Sequence, residues 1–371
     1  MAAIFEKSDL AGLQLRNRTF RSATWEGLAD EDGFVRPELT RLITQLAKNS
    51  VGMIVLGYLY VSPEGRGLPF QTGVWDEAHV EGLSKIAEAV HKEGGLVAAQ
   101  VAHAGGRTRT EYINGKMPMA PFAVEGFSFG DTPSEMTIPE IAAVIERFAD
   151  GARRVKKAGF DAVQLHSAHN YLLSQFLNPL VNRRSDRYGG SPENRRRFLT
   201  EVYETVRDAV GNEFPILVKL NTTDGPEGGI SIQEALDAAR ILSDRGMAAI
   251  EVSGGIAGSD TFRPSRTGIL TSFQEAYFRE AASVFKQELT IPVILVGGLK
   301  SYEVAEEILE REEADYVSFS RPLICEPDLI ARWKKGERSR SKCLSCNLCL
   351  KEGLKGEGIA CVGKRSAQME R

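Results

Sequence analysis

What most limits the folds open to this chain is an alternation that runs from residue 17 to residue 335. Short, almost uninterrupted apolar runs take turns with longer stretches that place an apolar residue at every third or fourth position. Residues 51–60 (VGMIVLGYLY) are such a run, as expected of a parallel strand buried on both faces. Residues 37–47 carry Leu39, Leu42, Ile43 and Leu46 at helical spacing. Read this way, the sequence predicts strands over 17–24, 51–60, 96–103, from 161 on, 216–221, 249–253, 293–296 and 316–320. The helices fall over 37–47, 77–93, 139–158, 193–210, 232–245, 274–288, 303–310 and 327–335.

Eight strand–helix units closing on themselves make a (β/α)8 TIM barrel, with any active site on the loops after the strand C-termini. An open doubly wound sheet would want a Gly-rich turn after its first strand, and NRTFRSATWEG has none. The expected division is a barrel over 1–336 and a short Cys-rich C-terminal extension over 337–371, with the segment before residue 17 covering the barrel floor. Residues 104–137 have no clear period. Their aromatic side chains (Tyr112, Phe122, Phe127 and Phe129) suggest a partly ordered lid that lines a pocket.

A net charge of −4 argues against a nucleic-acid-binding surface as the main function. No run approaches eighteen apolar residues, so no membrane span is expected. MAAIFEKSDL carries charges where a signal peptide needs an apolar core, so the expected location is the cytoplasm. Of five cysteines, four (Cys343, Cys346, Cys349 and Cys361) lie in the last thirty residues. A disulfide framework would be spread along the chain, so this clustering suggests a metal or cluster site, or a relic of one.

The chemistry concentrates at the strand ends, which hold Ala23-Thr24, Gly57, Gln100, His103, Lys219 and Gly254-Gly255. The fourth strand ends in His166, His169 and Tyr171, two imidazoles and a phenol within six residues. A polar Arg- and Gly-rich loop follows, and Ser191-Pro192-Glu193 reads as a helix start: an N-cap, a proline at the first helical position and an acid at the positive end of the dipole. Gly297-Gly298 after the seventh strand and the N-terminus of the helix that follows, with Ser320-Arg321 after the eighth, have the makings of a phosphate site.

Over residues 166–198, HSAHNYLLSQFLNP followed by NRRSDRYGGSPENRRRF closely resembles the signature of the old yellow enzyme family of FMN-dependent ene reductases. That family also includes trimethylamine dehydrogenase and the bacterial 2,4-dienoyl-CoA reductases. The resemblance extends from about residue 4 to residue 333. It implies an NAD(P)H-driven oxidoreductase that reduces activated C=C bonds, its small-molecule substrate an activated alkene. The flavin contacts it implies are Ala23 and Thr24 along the ring, Gly57 leaving room for it, Gln100 on the pyrimidine edge and Lys219 near N1. Gly298, Ser320 and Arg321 would hold the phosphate. His166 and His169 would bind the substrate carbonyl or nitro oxygen, Tyr171 would protonate the α-carbon, and Trp25 would sit over the ring at the substrate.

The chain departs from the family pattern in three places: Lys219 where most relatives carry Arg, Trp25 where some carry a small residue, and FSR at the end of strand eight instead of Gly-Arg. The Cys343, Cys346, Cys349 and Cys361 segment resembles the [4Fe–4S] segment of 2,4-dienoyl-CoA reductase with one residue fewer between the second and third cysteines. Four such thiolates suit iron–sulfur or Zn2+. Two other functions stay open at this point: an amine or other dehydrogenase of the trimethylamine dehydrogenase type, and a flavin or cluster electron carrier. Homo-oligomerisation is also open.

Overall fold

The computed structural model describes residues 2–125 and 129–363. Eight parallel strands form a closed barrel in sequence order, each hydrogen-bonded to the next and the last to the first. They are β1 (Thr19–Arg21), β2 (Met53–Tyr60), β3 (Leu96–Ala102), β4 (Ala162–Ser167), β5 (Ile216–Asn221), β6 (Ala249–Ser253), β7 (Val293–Val296) and β8 (Tyr316–Phe319). The helices between them are α1 (Pro37–Lys48), α2 (His79–Lys92), α3 (Ile138–Lys157), α4 (Pro192–Val210), α5 (Ile232–Asp244), α6 (Arg279–Glu288) and α7 (Tyr302–Glu310), with α8 (Leu329–Lys334) after β8. The (β/α)8 architecture is therefore as the alternation predicted.

The local chemistry explains the helix starts. Thr137 with Glu140 and Ser231 with Glu234 form reciprocal capping boxes at α3 and α5. Ser191 caps α4 by accepting from the Asn194 N–H, and Pro192 occupies the first turn.

The differences from the expected bounds lie mostly at the barrel mouth. β1 is three residues long, not the eight of 17–24, because Ser22 to Trp25 turn toward the cavity. α6 begins at Arg279 after a separate turn at Ser272–Gln274. The final helix is found as expected in α8, an extra short helix at Arg321–Cys325 precedes it, and another at Leu172–Leu177 follows β4.

Three apolar layers organise the interior. A large one fills the space between strands and helices, with Ile54, Leu56, Phe148, Phe198 and Trp333 among its members. A second plugs the lower barrel: Phe20, Met53, Leu217 and Ile294 pack on Leu10 and Leu15. These last two belong to the antiparallel pair Ser8–Leu10/Leu13–Leu15, so the N-terminal segment does cover the floor. The third layer sits at the mouth, where Trp25, Tyr58 and Tyr171 meet Ile359 of the C-terminal extension.

The extension is seated by specific contacts. The Ser341 N–H donates to the Lys300 carbonyl at 2.8 Å, the Ser341 hydroxyl donates to Glu326 at 2.6 Å, and the Arg340 Nε donates to Glu275 at 2.8 Å. The Lys300 ammonium donates to the Cys343 carbonyl. Among the described residues no helix is long and apolar enough to cross a membrane.

Candidate active site

A cavity of about 690 Å3 opens above the C-terminal ends of the strands. Of the residues singled out in the sequence, Ala23, Thr24, Trp25, Gln100, His166, His169, Tyr171, Lys219, Gly298, Ser320 and Arg321 line it. Gly57 does not. It lies inside β2, and a Cβ there would stand 2.6 Å from the Ala23 side chain, so its lack of a side chain makes room for the segment that follows β1.

The turn after β4 builds the reactive face. His169 and Asn170 are both left-handed, with φ of +62° each, a conformation that His and Asn tolerate better than most residues. The Asn221 side-chain oxygen accepts from the His169 N–H at 3.0 Å, and the Ala257 N–H donates to the His169 carbonyl at 3.1 Å. This turn brings His166 edge-on to His169 and to Tyr171, with ring centroids 5.0 and 4.9 Å apart. His169 Nε2 is 2.8 Å from the Ser253 hydroxyl, whereas His166 Nδ1 is buried with no hydrogen-bond partner. Burial, then the neighbouring His169 and Lys219 charges, hold His166 well below the usual imidazole range. Burial and Lys219 do the same for His169. Both rings are therefore neutral near neutral pH, each with one N–H to donate.

Below them a buried polar chain crosses the barrel. Gln100 Nε2 donates to Gln164 at 2.7 Å, and Gln164 Nε2 donates to Glu251 at 2.9 Å. Glu251 also accepts from the hydroxyls of Ser22 and Ser318, and it pairs with Lys219 at 3.3 Å. Lys219 donates to Ser22 Oγ at 2.7 Å. Burial lowers the Lys219 pKa and Glu251 pulls it back up. Sequence reasoning missed Glu251. The signal was a carboxylate inside the apolar run AIEVS, because a buried charge needs a partner.

At the far end Gly297 and Gly298 have φ of +137° and +73°, and a Cβ on Gly298 would lie 2.7 Å from the Tyr277 ring. The start of α7, expected to share the phosphate site, is already occupied. Glu275 accepts from the N–H groups of Lys300 and Ser301 at 2.8 and 2.9 Å. What faces the cavity is the glycine turn with Ser320 and Arg321. One Arg321 nitrogen donates to the Arg266 carbonyl and to Asn347 of the extension, at 2.8 and 2.7 Å, which holds the side chain in place.

The extension also walls the cavity with Leu348, Leu350 and Leu354, and Gly353 packs on the Trp25 ring. In the 104–137 segment Phe129 lines the cavity with the Arg107 guanidinium 3.8 Å from its ring. Tyr112 and Phe122 are not on the wall, and Phe127 lies outside the described residues.

The clustered cysteines share one corner. Cys325, a fifth thiol the sequence reading left out, is neighboured by Cys361, and burial, then Cys361, pushes Cys325 up to about 12. Burial raises Cys343, and it pushes Cys349 up to about 11. Among the described residues no three His, Cys, Asp or Glu side chains are arranged to hold a metal ion. As they stand, side chains without a converging geometry do not fit a cluster or Zn2+.

A strand-end cavity, a buried cation, a glycine-and-arginine end and a His–His–Tyr face define a flavin-type oxidoreductase barrel. The comparisons give the family. Residues 3–340 match the model of the NADH:flavin oxidoreductase / NADH oxidase family. An NADH oxidase of Thermoanaerobacter brockii is 35% identical over 98% of the chain, which spans only 54% of that relative. An NADPH dehydrogenase of Geobacillus thermodenitrificans is 34% identical over 87% of the chain and 91% of its own length. An old yellow enzyme homologue from Zymomonas mobilis superposes with a TM-score of 0.77 at 27% identity, covering 91% of this chain and 94% of the other. The chain belongs to this family, whose members use FMN with NAD(P)H as electron donor.

Proposed function

We propose that the protein is an FMN-dependent reductase that uses NAD(P)H to reduce C=C bonds activated by a carbonyl or nitro group. One observation carries the reading: two neutral imidazoles and the Tyr171 hydroxyl converge on one face of the strand-end cavity.

FMN fits the lining. Gln100 and Lys219 would meet the flavin ring, Ala23 and Thr24 would lie along it, and Gly298, Ser320 and Arg321 would hold the phosphate. When bound, the flavin supplies the hydride. His166 and His169 donate N–H bonds to the substrate oxygen, and the partnerless Nδ1 of His166 accords with a donor or acceptor awaiting a ligand. Because both rings are neutral, they draw electron density toward the oxygen without bringing a second cation close to Lys219. Each such preorganised donor is worth about 3 kcal/mol in the transition state. Tyr171 gives its proton to the α-carbon. Trp25, Phe129 and the leucines of the extension keep water away. A pure electron carrier would have no use for this acid.

The test is Tyr171→Phe in an assay with NADPH and cyclohexenone. Turnover should fall by about 10²–10⁴, while flavin reduction by NADPH stays close to wild type. Unchanged turnover would mean that another group delivers the proton.

A further inference from the structure

The Tyr171 hydroxyl is not alone at the cavity wall. The Tyr58 hydroxyl lies 2.8 Å from it, and the two ring centroids are 5.0 Å apart. Tyr58 comes from the C-terminal end of β2, across the barrel mouth, and its ring also packs edge-on to His166 at 5.7 Å. Both phenols are more than nine-tenths buried and both line the cavity. The guanidinium of Arg107, itself buried, is close enough to influence both phenols electrostatically.

We propose that Tyr58 is a positioning residue for proton delivery: it donates its O–H to the Tyr171 oxygen and stabilises the negative charge that appears there when the Tyr171 proton leaves. This rests on the ene-reductase reading for the destination of the proton. The balance is simple. The Tyr171 O–H bond breaks, a C–H bond forms at the substrate α-carbon, and the electron pair of the broken bond stays on the Tyr171 oxygen until solvent returns a proton. A phenolate left in a buried site is costly unless it is hydrogen-bonded. Tyr58 is placed to supply that bond and Arg107 a nearby positive charge.

The titration preferences agree with the direction. Burial raises Tyr171, but the Tyr58 hydrogen bond and then the Arg107 charge pull it back down. Tyr58 is pushed well above the usual phenol range by burial and by the charge Tyr171 would carry, with only Arg107 opposing. Of the two, Tyr171 is the one that gives up its proton. The other titratable ring on this face, His166, is held neutral and adds no charge.

A double-mutant cycle decides the matter. Reduced holoprotein is mixed anaerobically with cyclohexenone, and flavin reoxidation is followed in wild type, Tyr58→Phe, Tyr171→Phe and the double variant. A hydrogen bond to a developing charge predicts that Tyr58→Phe slows reoxidation about tenfold to hundredfold. The solvent isotope effect should rise as proton transfer becomes limiting. In the Tyr171→Phe background, Tyr58→Phe should add nothing further, since it acts through that hydroxyl. Multiplicative losses would make Tyr58 a packing residue and overturn the proposal, as would no loss in Tyr58→Phe.

If wild-type protein does not reoxidise with the enone, the ene-reductase reading fails and the pair is tested by titration instead. In holoprotein labelled with 13C at tyrosine Cζ, the resonance missing from Tyr171→Phe should titrate at higher pH in Tyr58→Phe than in wild type. An unmoved titration would overturn the proposal.

Discussion

Replacing Lys219 by Met keeps most of the side-chain volume and removes only the charge and its donors. In the structure Lys219 and Glu251 are 3.3 Å apart, with side chains 4% and 1% exposed. Coulomb's law at an effective dielectric of about 20 gives roughly 5 kcal/mol for unit charges at that separation. Breaking a buried pair by removing one partner typically costs about 3–5 kcal/mol, because the remaining charge is stranded. Glu251 would keep its hydrogen bonds from Ser22, Gln164 and Ser318, so the lower half of that range is expected. That is a large share of a net stability of about 5–15 kcal/mol. Urea unfolding of flavin-free protein should show a lower midpoint with an unchanged slope for Lys219→Met. Most of the loss should return in Lys219→Met/Glu251→Gln, where no charge is stranded. A cost under about 1 kcal/mol, or a double variant worse than Lys219→Met, would refute the claim that the two charges neutralise each other beneath the cavity.

Two further predictions concern the imidazoles and the extension. His166 and His169 have pKa values depressed by burial, so both stay neutral as pH falls through the usual imidazole value of about 6.5. The rate of enone reduction should therefore show no loss near that pH, and a limb there that disappears in His169→Asn would contradict it. The extension is held by Ser341, Arg340, Lys300 and Ile359 contacts that involve no metal. Chelator treatment of anaerobically prepared protein should leave its Lys and Arg peptide bonds as resistant to trypsin as before. Fe and Zn are to be counted in parallel, about four Fe per chain marking a cluster and about one Zn a structural site. Tail cleavage that appears only after metal removal would show that the thiols hold a metal that orders the tail.

The barrel was legible because its strands are buried on both faces and its helices on one, so burial writes itself into the period of apolar residues. The floor and the start of α4 were legible from the same local chemistry. Tyr58 was not, because a Tyr at the end of VGMIVLGYLY looks like core until a second chain segment places another phenol against it. Ser253 and Asn221, which hold His169, read as ordinary strand ends. The expected phosphate role for the start of α7 was overruled by Glu275, whose position depends on a turn that periodicity cannot predict. The most recognisable stretch, NRRSDRYGGSPENRRRF, turns out to brace the scaffold. Arg184 donates to the carbonyls of Pro121 and Met136, and Arg195 pairs with Glu234, so this loop fixes the 104–137 segment and α5 and does not enter the cavity. The cysteine clustering was the only signal the extension carried in the sequence. The extension is anchored by a few apolar side chains and by hydrogen bonds to residues far apart in sequence, which leave no periodic trace.

The most direct test of the account is a two-step anaerobic experiment on FMN-loaded protein. NADPH should bleach the flavin absorbance, and cyclohexenone added next should restore it with about one cyclohexanone formed per flavin. Protein that takes up no FMN, or a flavin that NADPH reduces but that stays bleached in the presence of the enone until another oxidant is added, would contradict the assignment of this cavity as an ene-reductase site.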